Sequence, residues 1–453
     1  MILAERFPRA RGWSVRGSVA WLRERPWIAV QVVILTWALI PEVRRLIDWK
    51  VGFNSISVVS VLPLLVLVPF ALPFIYGKRL TKLPFPMLVL GWIWFGGFTF
   101  SLAVSVTTGN TFAALYSFAQ FCLPAIFGFW VSSLSISVRD LFERVAIFML
   151  WLATPLALYG ALQFASPPPW DVTWMLYAKI TSIGVPLPFQ LRPFSTLNSP
   201  GIFADFLVMT IMFNLPRLRT MKPLAMGQLA FCMAVLILTM VRSDWIALVI
   251  GVVAYIIMSP QRAKNLTIMA GVVGVIAVLV MNVSALLGSS SAGSDLSTRI
   301  DTFSNLDNDV SYNERSRYWG EPLMEALESP LGQGLGVLGT AAKLGNSGTT
   351  HDFDNGYVAR FTEMGYFGTL CYAAALLGAL WLVLKRHRRF SRAGKIEFAA
   401  IGASVAAVQF SLLMLDVSSD HHNELSGLFF WLSLAMILGR DASQQANLLE
   451  SAA

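Results

Sequence analysis

Apolar residues along this chain gather in long blocks, mostly separated by short polar stretches that carry Lys and Arg. At about 1.5 Å per helical residue, roughly 20 apolar residues cross a bilayer core. The blocks place twelve spans, at 27–41, 56–76, 84–106, 112–131, 142–165, 199–216, 223–240, 243–258, 266–287, 364–384, 397–415 and 425–439. The first is short for a crossing, and the stretch 13–25 before it mixes Trp with Arg, as an interfacial segment does. Pro63, Pro69 and Pro73 predict bends in the second span, because proline removes a helical donor and crowds the preceding turn. The basic N-terminus runs into the first apolar block without a small-residue cleavage site, so no cleavable signal peptide is expected. No internal repeat is visible.

The expected fold is therefore an all-α polytopic membrane protein of about twelve transmembrane helices. Composition agrees: 56% of the 453 residues are hydrophobic and 13% charged, against about 25% charged in soluble chains. The net charge of +8 would hint at nucleic acid in a soluble protein. Here the basic residues sit between apolar blocks, where they set orientation, and no nucleic-acid partner is expected. With the N-terminus inside, the segments 1–26, 77–83, 132–144, 217–222, 259–265, 385–396 and 440–453 hold 23 of the 34 Lys and Arg. The run Lys385-Arg386-His387-Arg388-Arg389 is the strongest anchor. One outer stretch disagrees: 42–55 holds Arg44, Arg45 and Lys50. The predicted organisation is a cytoplasmic basic N-terminus (1–26), nine helices (27–287), one long outer loop (288–363), three helices (364–439) and a cytoplasmic tail (440–453). Cys122, Cys232 and Cys371 all lie inside apolar segments, which argues against a structural disulfide or a metal framework.

Function concentrates in loops held by a rigid scaffold. Four of the outer-side arginines are candidates: Arg192 before the sixth span, Arg242 in the hairpin between spans seven and eight, and Arg315 and Arg317 on a helical patch at 313–328 of the long loop. Guanidinium groups bind phosphate oxygens bidentately and stay charged, so several together suit a pyrophosphate. Snorkelling to lipid phosphates is the plain alternative for any one of them. A second cluster is His351-Asp352-Phe353-Asp354-Asn355-Gly356-Tyr357, with Glu363 at the mouth of span ten. A His or carboxylate there can take a proton from a hydroxyl, or Asp354 or Asn355 can simply cap a helix. The third cluster, Asp416 to Glu424, reads as a solvated loop that can line an acceptor path rather than as a metal site, because its spacing follows no ligand pattern. Trp170 and Trp174, in a Pro-rich outer loop at 166–198, offer faces for sugar rings. Gly334-Leu335-Gly336-Val337-Leu338-Gly339 matches the dinucleotide pattern, but no strand precedes it, so a tight loop is the better account. No Walker motif is present, so no ATP drive is expected.

Taken as a set, these stretches resemble the O-antigen ligase and Wzy-type polymerase superfamily. Arg192-Pro193-Phe194-Ser195-Thr196-Leu197-Asn198-Ser199-Pro200 resembles its R-x-x-G-T-x-x-N-P region, and Val241-Arg242-Ser243-Asp244-Trp245 its S-R-[GS]-x-W hairpin. Arg317-Tyr318-Trp319 with Pro330-Leu331-Gly332-Gln333-Gly334 resembles R-x-x-W…P-L-x-G, and Asp354-Asn355-Gly356-Tyr357 with Glu363-Met364-Gly365 resembles H/D-N-x-[YF]…E-x-G. The resemblance covers about 190–370 and implies a GT-C-like membrane glycosyltransferase of the bacterial inner membrane, with 288–363 as a periplasmic catalytic loop. It implies an undecaprenyl-pyrophosphate-linked saccharide donor, a glycan acceptor, contact with membrane lipids, and a flippase and chain-length regulator as partners. The four histidines and three cysteines offer no credible ligand set, so no metal is expected, and no cofactor either. Arg192, Arg242, Arg315 and Arg317 would hold the pyrophosphate, and His351, Asp352, Asp354 and Glu363 are the catalytic candidates. The ligases carry an H-x-H-N-like motif, whereas here His351 stands three residues ahead of Asp354-Asn355. That favours a polymerase of exopolysaccharide or O-antigen over a ligase to lipid A core or protein. A twelve-span transporter is the alternative from another class, but the single long loop between spans nine and ten breaks the two-halves pattern of transporters. A structural assembly factor is a third reading that the sequence leaves open.

Overall fold

A computed structural model of the chain describes residues 25–55, 57–77, 79–178, 181–260, 320–345 and 353–451. These residues form an all-α bundle, with one isolated bridge between Gly184 and Leu191 and no strand among them. Helix α1 spans Pro26–Val51, α2 Phe85–Thr107, α3 Thr111–Ser132, α4 Val138–Ala165 and α5 Pro169–Ala178. Then come α6 Pro200–Asn214, α7 Pro223–Leu238, α8 Arg242–Met258 and the short α9 Glu321–Leu327. Helices α10 Gly356–Arg392, α11 Ile396–Leu415, α12 Glu424–Leu438 and α13 Arg440–Ser451 complete the described chain. Among the described residues, eight helical segments are long and apolar enough to cross a membrane. The expected sixth, seventh and eighth spans form helices of 15, 16 and 17 residues, and the ninth, 266–287, lies outside the described residues.

Three expectations need correction. The first block does not stop at residue 41: α1 continues for 26 residues, through Pro41, to Val51. Arg44, Arg45 and Lys50 are therefore helical, and the outer loop that broke the charge count is largely the end of a helix. Helix α10 begins at Gly356 rather than 364, so Glu363 lies inside it. It is two helices merged across a kink at Gly365, whose φ is +60°. The third correction, at the 416–424 loop, belongs to the site below. The bends expected in the second span are present: Val58–Ile75 is a chain of short helical turns broken at its prolines.

Helix α12 sits at the centre. Its residues from Leu425 to Leu438 are all buried, as expected for a helix apolar on every face. Small residues let its neighbours close in. A Cβ on Gly128 of α3 would lie 2.6 Å from the Cβ of Trp431, and one on Gly251 of α8 would lie 2.3 Å from the Ser411 hydroxyl of α11. The Ser411 hydroxyl donates to the Ala247 carbonyl (2.9 Å), and Ser404 to that of Met212 (2.7 Å).

The two ends of the bundle differ. One, the basic end, brings together 79–82, 132–139, 385–397 and 440–443. There Arg79 donates to Ser133, Arg386 to the Ala442 carbonyl, and Arg139 pairs with Glu397 at 2.7 Å. The other, the loop end, gathers 181–199, the 239–242 hairpin, 328–345 and 416–423.

Candidate active site

At the loop end the chain buries charge in two places. The first is built on α1. Arg45, fully buried, donates to the carbonyls of Ser195 (2.5 Å) and Leu197, pairs with Asp171 of α5 (2.8 Å), and pairs with Glu42 one turn back. Gln163 of α4 donates to Asp171 (2.7 Å) and accepts from the backbone N–H groups of Phe194 and Ser195, both at 2.9 Å. Burial pushes the Asp171 carboxyl up against the opposing pull of Arg45. These bonds hold Ser195 at φ +53°, where a side chain costs about 1–2 kcal/mol and glycine costs none. Ser195 stands where the resembled motif has its glycine.

That pinned segment delivers Arg192 to the α7–α8 hairpin. Its guanidinium donates to the carbonyls of Thr239 (2.9 Å), Met240 (3.3 Å) and Ser182 (3.0 Å). Arg242 is the first residue of α8, directly after that turn. Two arginines fifty residues apart in sequence thus flank one hairpin.

The second buried charge cluster joins α6, α8, α10 and the loop between α11 and α12. Arg360 pairs with Glu363 on its own helix and with Asp420 (3.1 Å). Glu363 Oε1 accepts from the backbone N–H groups of Gly336 (3.0 Å) and Leu338 (3.1 Å). The Gly-rich loop therefore wraps its amides around the chain's own carboxylate, which explains why its resemblance to a dinucleotide motif means nothing. Gly332 meets the α10 kink there: a Cβ on it would lie 2.5 Å from the Gly365 nitrogen. Glu363, expected as a catalytic carboxylate, has one oxygen on two amides and the other on Arg360. Its geometry is that of a residue holding the loop.

Asp416 organises the last loop. It accepts from the His421 N–H (2.8 Å) and the Tyr372 hydroxyl (3.0 Å), and its Oδ2 lies 2.6 Å from His422 Nδ1. Burial alone would raise the Asp416 carboxyl, but His422, with these bonds, holds it below its usual range. Burial raises Asp420 in spite of Arg360. His421 Nε2 lies 3.4 Å from Asp205 of α6, which accepts from Ser426 (2.8 Å) and pairs with the Asp244 carboxyl of α8. The expectation of a solvated loop is thus corrected: Asp416 and His422 are fully buried, because they bond each other and Tyr372 of α10 and Phe430 of α12 pack over them. Among the described residues no group of His, Cys, Asp or Glu is arranged to hold a metal ion.

The remaining expected residues fall as follows. Asn355 caps α10, accepting from the Val358 N–H (3.1 Å), and half-buried Asp354 precedes it. Trp170 is half-buried, with its indole N–H shared between Glu42 (2.7 Å) and the Tyr159 hydroxyl (2.8 Å). Trp174 is 4% exposed, packed between Arg45 and Phe194, and leaves no open face for a sugar. His351, Asp352, Arg315 and Arg317 lie outside the described residues. The motifs gave no pointer to Arg45, Asp171, Asp205 or Arg360, although a charge inside an apolar block is itself a signal.

Residues 228–373 match the family model described as O-antigen ligase. The matched stretch contains Arg242, Arg360 and Glu363, and it bears out the family read from the motifs. The chain is a multi-pass membrane protein in which this stretch, about a third of its length, is similar to the O-antigen ligase family. No curated protein matches the chain.

Proposed function

We propose that the protein polymerises undecaprenyl-pyrophosphate-linked saccharide repeat units at the periplasmic face of the bacterial inner membrane. The observation that carries this reading is the convergence of Arg192 and Arg242 on one hairpin at the loop end. The acceptor sugar hydroxyl attacks the anomeric carbon of the donor, and the lipid pyrophosphate leaves. Arginines placed where that charge develops lower the barrier without reorganising, and Arg315 and Arg317 join them from the long loop. Holding donor and acceptor chains together supplies much of the rest. Asp354, with His351 and Asp352, steers the acceptor, and Trp170 is the remaining stacking face.

Deletion of the gene tests the reading. Single repeat units should accumulate on the lipid carrier, and long polymer should vanish from the cell surface. Long polymer persisting on the carrier, with only its transfer to lipid A core or protein lost, would replace polymerase with ligase.

A further inference from the structure

The two histidines of the α11–α12 loop are chemically unlike. His422 is fully buried, its Nδ1 against Asp416 and its ring edge-on to Tyr372 and Phe430. His421 stands at the rim of the same cluster, with 11% of its side chain exposed. Its Nδ1 faces the Ser419 carbonyl at 2.9 Å, and a carbonyl can only accept, so that nitrogen carries the proton. Nε2 is then the basic atom. It faces Asp205 at 3.4 Å, beyond the 2.7–3.2 Å of an ordinary hydrogen bond but well within charge–charge reach.

Asp205 is itself backed up. The Oδ2 that faces His421 also accepts from Ser426, and the Asp244 carboxyl lies beside Asp205. The groups around His421 are Asp205 on α6, Asp244 behind it on α8, Asp416 at the end of α11, and Asp420, His422 and Glu424 in and after its own loop. From α10 come Arg360 and Tyr372, on Asp420 and Asp416 respectively. Carboxyl groups dominate this set. Gly356, at the start of α10, donates to the Asp416 carbonyl at 2.8 Å, so the loop lies directly against the Asp354-Asn355 segment.

Resting on the function proposed above, we propose that His421 takes the proton from the acceptor hydroxyl through Nε2, and that the Asp205–Asp244 pair holds the imidazolium so formed. The balance is simple. The hydroxyl O–H bond breaks and its proton goes to Nε2. The oxygen's electron pair forms the new bond to the anomeric carbon. The old anomeric C–O bond breaks, and its electrons leave with the lipid pyrophosphate. Burial by itself would lower the His421 imidazole, but Asp205, Asp416 and Asp420 raise it above its ordinary value. Only the neutral ring is a base, so the rate falls as pH drops, with an acid limb centred above about 6.5.

The test uses the purified full-length protein and undecaprenyl-pyrophosphate-linked repeat units extracted from the deletion strain. His421→Gln should lower kcat about 10²–10³-fold with little change in KM, and should remove the acid limb. Asp205→Asn keeps an acceptor for Ser426 but removes the charge, so the limb should move to lower pH. Wild-type turnover with a His421→Gln rate within threefold of it, and the limb still in place, overturns the inference and leaves the proposed function standing. An unmoved limb in Asp205→Asn overturns it equally, and decides the matter should His421→Gln fail to accumulate in membranes. A wild type that does not join these units overturns the proposed function, and this inference with it.

Discussion

The two buried charge clusters at the loop end are built from the same residue types and end differently. Around Arg45, the guanidinium reaches two backbone carbonyls and two carboxylates, and Gln163 ties the same segment from the other side. Both clusters leave buried polar atoms without a hydrogen-bond partner: Nε1 of Trp174 beside Arg45, and Oδ1 of Asp420 and Nε2 of His422 beside His421. One imidazole stands partly open at the rim. A charge sealed inside a network fixes a shape, whereas an imidazole at the rim can still exchange a proton or meet a ligand group. Burial of charge is common to both, so it does not by itself mark chemistry. What distinguishes them is the titratable group left at the rim.

That contrast can be broken by mutation. The largest effect is expected at Arg45. Arg45→Ala strands Asp171 and Glu42 without their cation and should cost about 3–5 kcal/mol. Membrane abundance and the melting temperature in detergent read it, and adding Asp171→Ala should recover part of the loss. An unchanged melting temperature would end the claim that this cluster is architectural. Arg242 should show the opposite split, with activity reduced about 10²–10³-fold in Arg242→Ala and the fold retained. Arg242→Lys should rescue poorly, since a point charge does not reproduce the guanidinium fork. Full activity in Arg242→Ala would remove the hairpin from the pyrophosphate site.

Glu363→Gln comes next. Its amide oxygen can still accept from Gly336 and Leu338, but its NH₂ faces Arg360, at a cost of about 1–3 kcal/mol. If Glu363 instead acted on substrate, activity would collapse while the melting temperature stayed put. The smallest effect belongs to Ser195→Gly. It relieves the positive φ but forfeits the Ser195 bond to the Leu156 carbonyl (2.6 Å), so the net change in stability should stay within about 1 kcal/mol. A larger loss would show that the hydroxyl, not the backbone, is what the position needs.

Much of the bundle was legible because lipid imposes one rule, that backbone groups be satisfied within the segment, and long apolar blocks are its signature. The helix ends were less so. Arg45 and Glu363 looked like loop residues because charge normally ends a span, and only partners distant in sequence make them tolerable inside a helix. Arg192 and Arg242 were legible as a pair through short motifs, whereas Asp205 sits in the apolar run Gly201-Ile202-Phe203-Ala204-Asp205-Phe206-Leu207 with no motif around it. His421 and His422, adjacent in sequence, could not be told apart without knowing which of them faces Asp416 and which Asp205.

The reach of Arg45 also has a consequence in time. The Leu197 carbonyl that it binds is made 152 residues later. At synthesis rates of about 5–20 residues per second, that is a wait of roughly 8–30 s. Throughout it, the first helix holds a guanidinium without its carbonyl partners, so it has no reason to settle alone in the hydrocarbon. Its final seat forms only when α4, α5 and the segment ahead of α6 arrive together, which makes the helices ahead of Pro200 one assembly unit rather than a series of independent insertions.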